Sequence, residues 1–379
     1  MHSSLSVTGN MWIKIIIIVL KKRRGLKQAS LFFRGDYMEM TWKEYSLDKE
    51  NVSFWLKWGG LVHSQILLNK DYSMLSVIQY EAYKKVDECI LDSLPKLPNG
   101  WVYWLDNQHI AGKTKYYLCV YWNPFYSKGD LITNFVDNKT IYFEKAKEGF
   151  LEVVIMIFNT LFKLTPCQIL QHGALLNYLE SSITIQPAVI PMPDTPLYLD
   201  ALLTQDAGIT FEKNNIYIKN NQLAVISLDV YRDDDKKRLA RMLKEKNITY
   251  RHVQRLLLFS EKAAEQEKKR YMQLWCSGRM SIRRMISEDI TGNLNCYYMN
   301  VLIVSLPEEG FADTVTWIKN QLNSMEIPYI VEDYSCKEIW WASLPGMHEP
   351  YVQPPMVGFK NLGDLLAHSQ EEQEEDRNV

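Results

Sequence analysis

No two of the six cysteines stand closer than Cys276 and Cys296, so the chain has no pair at the two-to-four-residue spacing of a zinc site or redox dithiol. Cys89, Cys119, Cys167, Cys276, Cys296 and Cys336 therefore read as buried, reduced thiols of a cytosolic protein. Long apolar runs are lacking too. The longest near the start, Ile15 to Leu20, falls far short of the roughly 20 residues of a bilayer span, and the basic cluster Lys21 to Arg24 follows it where a signal peptide carries charge in front. Charge of one sign is missing on the whole-chain scale: 43 Lys and Arg against 45 Asp and Glu give a net of -2, which argues against a dedicated nucleic-acid binder. Histidines His2, His63, His109, His172, His252, His348 and His368 form no ligand pair at helical or strand spacing, and no serine sits in a Gly-x-Ser-x-Gly elbow.

Nucleotide-binding signatures fail as well. Gly112 to Thr114 spells Gly-Lys-Thr, but Asn107 stands where a phosphate loop needs its first glycine, and the segment lies between two strands. A turn is the better reading. Val225 to Asp229 has the form of a Walker B strand, and without a phosphate loop it reads as an ordinary strand end. No catalytic constellation and no cofactor site emerges.

What is present is an ordinary globular composition: 379 residues, 47% apolar, 23% charged and 12% aromatic, enough for a core without disulfide or metal staples. Residues 1–40 form a basic leader with six basic and no acidic side chains up to Lys27; it reads as an interfacial anchor, a disordered leader, or sequence upstream of a true start at Met38 or Met40. Residues 41–190 are expected to make a first α+β domain. Its parts are a hairpin from 61–68 and 74–80, a helix from Lys84 to Leu94, a strand pair Trp101–Leu105 and Tyr116–Trp122, and a long helix from Asn138 to Lys163. Pro187, Pro191, Pro193 and Pro196 mark the boundary, followed by a short helix Leu197–Leu203.

Residues 191–369 are expected to make a second α+β domain of ferredoxin-like βαβ repeats, with mixed sheets and packed helices. Strands are expected at Ile209–Ile218, Leu223–Tyr231, Thr249–Phe259, Asn295–Leu306 and Pro328–Glu332. A helix at 309–325 places Phe311, Val315, Ile318, Leu322 and Met325 on one stripe. Residues 370–379 form an acidic tail expected to be disordered.

Charge is concentrated in one place. Between Arg232 and Arg284 sixteen basic and seven acidic residues give +9, leaving -11 for the rest. The expected helix Lys262–Ile286 carries Lys268, Lys269, Arg270, Arg279, Arg283 and Arg284, interleaved with Tyr271 and Trp275. That composition suits a partner protein, phosphate backbones or anionic lipid, and equally a solvated face paired with Glu261, Glu265 and Glu267.

Six segments occur in an order that resembles the N-terminal and central part of the conjugal-transfer and type IV secretion ATPases, the CagE/TrbE/VirB family, and its TrbE-like members above all. They are GGLVHSQILLNKDYSML (59–75), NGWVYWLD (99–106), TPLYLDALL (195–203), RHVQRLLLF (251–259), WASLPG (341–346) and NLGDLL (361–366). Tyr72 stands where the family tends to have glycine, and His252 where it has tryptophan. The family continues into a RecA-like motor that binds ATP and magnesium; this sequence shows neither Walker motif, so no ATP-binding residue carries over. The resemblance implies a non-catalytic assembly part of a transfer apparatus, peripheral at the cytoplasmic face of the inner membrane. It also implies contacts to small inner-membrane components, other secretion subunits and other copies of itself. A nucleic-acid-binding module using residues 232–284 is the alternative.

Overall fold

Ile110 is followed by Ala111 and Gly112, both at positive φ (50° and 72°), and this two-residue reversal twists with the strands it joins. It closes a hairpin of two ten-residue strands, β4 (Trp101–Ile110) and β5 (Lys113–Trp122), so Gly112–Thr114 is turn and strand, as its sequence context indicated. The computed structural model describes residues 45–46, 67–69, 74–81, 101–122, 139–189, 208–212, 215–228, 233–259, 265–266, 269, 294–346 and 356–358.

The remaining elements follow in chain order. Before the hairpin come β1 (Tyr45–Ser46), β2 (Leu67–Asn69) and β3 (Met74–Tyr80); after it come α1 (Lys139–Phe162), β6 (Cys167–Ile169) and α2 (His172–Thr184). The second half supplies β7 (Ile209–Glu212), β8 (Asn215–Ile218), β9 (Asn221–Leu228), α3 (Asp233–Glu245), β10 (Thr249–Leu258) and β11 (Leu294–Pro307). It ends with α4 (Phe311–Ser324), β12 (Tyr329–Val331), α5 (Cys336–Ser343) and β13 (Met356–Gly358). The class is α+β: among the described residues five helices lie against a single sheet in which every pairing is antiparallel.

The strand order β1-β2-β3-β5-β4-β10-β11-β9-β8-β7 reads the same inward from both ends. In the first half β6 flanks β3, giving β6-β3-β5-β4; in the second β12 flanks β9, giving β12-β9-β11-β10. Both are the fourth-first-third-second order of a ferredoxin-like βαββαβ unit. The repeats expected in the second half are therefore a pair, one in each half. Each unit is preceded by a pair of antiparallel strands (β1-β2, β7-β8) and followed by one more helix (α2, α5). Strand registers align Met74–Tyr80 with Gln222–Leu228, Trp101–Ile110 with Ile248–Leu257, Lys113–Trp122 with Tyr297–Leu306 and Cys167–Ile169 with Tyr329–Val331. The units join where β4 pairs with β10 over Val102–His109 and Tyr250–Leu257, so one sheet runs across the position of the expected domain boundary.

The central strands are buried on both faces, with successive residues turned to opposite sides of the sheet. One face carries Trp101, Tyr103, Leu105 and Leu256 under α1, whose Phe150, Val154, Ile157 and Leu161 recur at helical spacing. It continues into Ile226, Tyr250, Leu302 and Val304 under α3 and α4. The opposite face carries Val102, Trp104, Tyr121, Val253 and Val301 beneath α2 and α5. Phe150, Leu151, Val154, Ile157 and Leu161 make five large buried apolar α1 side chains, and at about 1.5–3 kcal/mol each they are ample to hold that helix down.

Several expectations need correction. The single strand expected over Ile209–Ile218 is two antiparallel strands in which Glu212 pairs with Asn215, and Ile216 and Ile218 of the second belong to the core. Residues 172–184 and 336–343, given no element from the sequence, are helices α2 and α5. The expected helices Lys84–Leu94 and Leu197–Leu203, the leader and the acidic tail lie outside the described residues.

Candidate functional site

At the β4/β10 seam two charged side chains point into the face that α2 and α5 cover. Asp106 shares its side of β4 with Trp104 and Gln108, and Arg251 shares its side of β10 with Val253 and Arg255. Both side chains are fully buried. Arg251 Nε donates to Asp106 Oδ1 and Oδ2 at 3.0 and 2.8 Å, and Nη2 lies 2.8 Å from Oδ2. The rest of the guanidinium serves the helices: Nη1 donates to the Ser182 carbonyl at 3.1 Å and reaches Ser343 Oγ at 3.4 Å, and Nη2 donates to the Ser343 carbonyl at 3.0 Å. Acceptors thus surround the whole planar fork.

Ser182 lies in the last turn of α2 and Ser343 ends α5, so one cation terminates both helices, where the backbone dipole is negative and carbonyls lack intrahelical partners. Asp106 Oδ2 also accepts from the Tyr178 hydroxyl at 3.0 Å and from Gln108 Nε2 at 3.3 Å. Gln108 in turn bonds Ser182 Oγ and Ser181 Oγ, tying the seam to α2 a second time. Burial pushes the Tyr178 hydroxyl well above its ordinary range, and the Asp106 charge adds to it, so Tyr178 stays a donor. Arg255, directly opposite Trp104, lies over the indole at 5.4 Å.

In the alignment of the two units Asp106 matches Val253, and these two residues pair with each other. The pseudo-twofold axis therefore passes through the ion-pair cluster. Ser182 and Ser343, both near helix ends and both bonded to Arg251, stand on either side of that axis.

The opposite face of the seam is polar in another way. His252 Nε2 lies 2.7 Å from Asn300 Oδ1, and Gln254 Nε2 donates to the Tyr298 hydroxyl at 2.9 Å. Asn107 Oδ1 and Asn300 Nδ2 are sealed from solvent without a hydrogen-bond partner among the described residues. His109 stacks on Tyr250 at 5.5 Å with its Nδ1 2.9 Å from Thr114 Oγ1.

The described thiols are held in their neutral form by burial. Cys119, Cys296 and Cys336 are buried, and desolvation raises all three, Cys336 to about 12; half-buried Cys167 is raised by the same cause to about 11. Among the described residues no three of His, Cys, Asp and Glu gather as a metal site would require. No described helix is long and apolar enough to cross a membrane.

Of the six basic residues singled out from sequence, Lys269 is helical and exposed; Lys268, Arg270, Arg279, Arg283 and Arg284 lie outside the described residues. Two other members of the basic segment, Arg251 and Arg255, are buried within the sheet core, where they add nothing to a surface field. Sequence reasoning missed Asp106, Gln108, Tyr178, Ser182, Arg251 and Ser343. The available signal was a charge at an inward position of an alternating strand: Asp106 in step with Trp104, and Arg251 in step with Val253. No protein-family model matches the chain, and no curated protein is significantly similar to it.

Proposed function

We propose that the chain is a non-catalytic assembly module of a conjugal-transfer, type IV secretion apparatus. It would correspond to the N-terminal and central part of the CagE/TrbE/VirB ATPases and act at the inner membrane beside a motor-bearing subunit. One observation carries the reading. The segments behind the resemblance are spread from residue 59 to residue 366, yet three of them meet at the buried cluster. NGWVYWLD ends in Asp106, RHVQRLLLF begins with Arg251, and WASLPG contains Ser343. A fourth segment, 59–75, includes β2 and the start of β3, which pair with each other. Residues 195–203 and 361–366 lie outside the described residues.

Resembling segments whose residues bind two half-sheets and two helix ends together favour a scaffold over a catalytic role. A scaffold of this kind works by presenting surfaces to other subunits. The test is co-expression of the tagged chain with the motor-bearing ATPase and the small inner-membrane components of one transfer system, followed by pull-down and by calorimetry with Mg-ATP. Retention of a transfer subunit with no heat from Mg-ATP is expected. Stoichiometric nucleotide binding would overturn the non-catalytic part. Salt-sensitive retention of DNA with no protein partner would move the assignment to a nucleic-acid-binding module.

A further inference from the structure

The duplicated fold supplies its own control for deciding which parts of the chain the packing requires. Helices α1 and α4 hold equivalent places, and Phe150, Val154, Ile157 and Leu161 of the first correspond to Phe311, Val315, Ile318 and Leu322 of the second. The connections do not all match. Ile110 pairs with Lys113, and Ala111 and Gly112 alone join them; the equivalent pair in the other unit is Leu257 with Tyr297, and residues 258–296 join that one. The step from β11 to α4 takes Glu308, Glu309 and Gly310, whereas the equivalent step from β5 to α1 takes residues 123–138. Both surplus segments leave the same end of the sheet, since Trp122 lies opposite Trp101 and Leu257 opposite Val102. A long connection whose twin shows that the fold can do without it serves another task.

The longer surplus segment carries a pattern. From Lys268 to Ser287 it holds six basic side chains and no acidic one. Tyr271, Leu274, Trp275, Ile282, Met285 and Ile286 recur at steps of 3, 1, 7, 3 and 1, with Gly278 in the gap, which puts them on one side of the helix expected there. Lys269, Arg270, Arg283 and Arg284 fall on the other side, and Lys268 and Arg279 at the edge of the stripe. Where the structure describes the segment it agrees: Glu265, Gln266 and Lys269 are helical and exposed, and all three belong to the polar side of the same pattern.

We propose that this segment is an interfacial membrane site, its stripe entering the boundary of headgroups and acyl chains of an anionic bilayer while its lysines and arginines lie among the lipid phosphates. The stripe decides the occupant. A nucleic acid would use the basic side chains and stack on Tyr271 and Trp275, but would bury nothing against Leu274, Ile282, Met285 and Ile286. A bilayer takes up both groups, and Tyr and Trp favour its interface. The chain outside residues 232–284 is net acidic and is repelled by such a surface, so the end of the sheet that bears the segment faces the lipid. The site does not rest on membership of a transfer apparatus, and no other subunit enters its test.

The test is flotation of the full chain with phosphatidylcholine vesicles, with and without phosphatidylglycerol, at low and high salt. Wild type is expected to float only with the phosphatidylglycerol vesicles and to be largely released by salt. Arg279→Glu/Arg283→Glu/Arg284→Glu should weaken binding about a hundredfold or more, and Trp275→Ser/Ile282→Ser about tenfold or more, both at the melting temperature of wild type. Replacing residues 258–296 by Ala-Gly, the turn that serves the other unit, should abolish binding and leave the sheet folded. A wild type that does not float overturns the proposal, and so do point variants that float like wild type because residues 1–27 carry the binding. A melting temperature lowered by Trp275→Ser/Ile282→Ser would place the stripe against the protein and overturns it as well. DNA retention that the apolar variant leaves intact, without vesicle binding, would give the segment to nucleic acid instead. The point variants decide the matter even if the shortened chain fails to fold.

Discussion

Removing both partners of the Asp106–Arg251 pair should cost about as much as removing either one alone. Asp106→Ala leaves a guanidinium fully buried without its anion, and stranding a buried charge in this way costs about 3–5 kcal/mol. Arg251→Met strands the carboxylate with only the Tyr178 hydroxyl and Gln108 amide for partners. It also takes the donors from the Ser182 and Ser343 carbonyls, so its cost should be at least as large. The double variant Asp106→Leu/Arg251→Met removes both charges, and replacing a buried pair by apolar groups is often close to neutral. What remains unmet is two carbonyls and one hydroxyl, at about 1–3 kcal/mol each where no water reaches them. The double variant should therefore lose about as much as one single variant, and the coupling energy should be about 3 kcal/mol or more. Urea unfolding followed by tryptophan fluorescence reads the seam directly, since Trp104 and Trp340 are buried in the same cluster. Additive losses, or single variants costing under about 1 kcal/mol, would refute the view that one guanidinium holds the two helix ends and the seam together.

Stability should fall in alkali. The buried Cys119, Cys296 and Cys336 thiols titrate higher in the fold than the ordinary 9.0, so the unfolded chain releases these protons first. Stability is then complete below about pH 9 and lost as pH rises toward the folded values, by up to about 1.4 kcal/mol per pH unit per thiol; urea midpoints from pH 7 to 11 check it, and a flat profile would refute it. Trp104→Ala empties a fully buried site edge-on to Tyr121 and beneath Arg255, and should cost about 3–5 kcal/mol in the same assay. Gly112→Val meets open space at φ +72°, so any loss is backbone strain of about 1–2 kcal/mol in thermal melts; a neutral result would mean that the turn relaxes.

Much of the architecture was legible because burial imposes period. Trp101–Leu105, Tyr116–Trp122, Thr249–Phe259 and Asn295–Leu306 are rich in aromatic and β-branched residues, as strands buried on both faces are, and the strands fall there. The stripe of α4 was equally plain. Helix α2 was legible in principle from the helical spacing of Leu175, Leu176, Leu179 and Ile183. The duplication left its trace in one place, the Phe-Val-Ile-Leu series shared by α1 and α4 at identical spacing; in the strands any β-compatible apolar residue serves, so the units drifted apart. The cluster was not legible. Asp106 and Arg251 meet only through the β4/β10 register, and nothing local to either strand specifies a partner so distant in sequence.

The seam also explains why the two units are asymmetric where they touch. Alignment across the axis matches Trp104 with Arg251, Asp106 with Val253 and Gln108 with Arg255. Were β4 to pair with a second β4, two Asp106 carboxylates would meet on the axis without a cation. Were β10 to pair with a second β10, four arginines would be buried around two valines. Only the mixed pairing brings one anion to the guanidinium, so the charges select it against both like pairings. The helix-end acceptors, by contrast, are symmetric, because Ser182 and Ser343 lie on either side of the axis and both face Arg251. An arginine entering from β4 at position 104 should therefore find the same two carbonyls. The exchange variant Trp104→Arg/Arg251→Trp/Asp106→Val/Val253→Asp moves the pair across the axis. It should recover most of the stability lost in Asp106→Val, whereas Asp106→Val/Val253→Asp alone should recover less, since the carboxylate then stands two residues along β10 from Arg251 and no longer bridges the seam. Melting temperatures of the three variants decide the point, and a fourfold exchange no more stable than Asp106→Val would show that the seam's symmetry stops at the backbone.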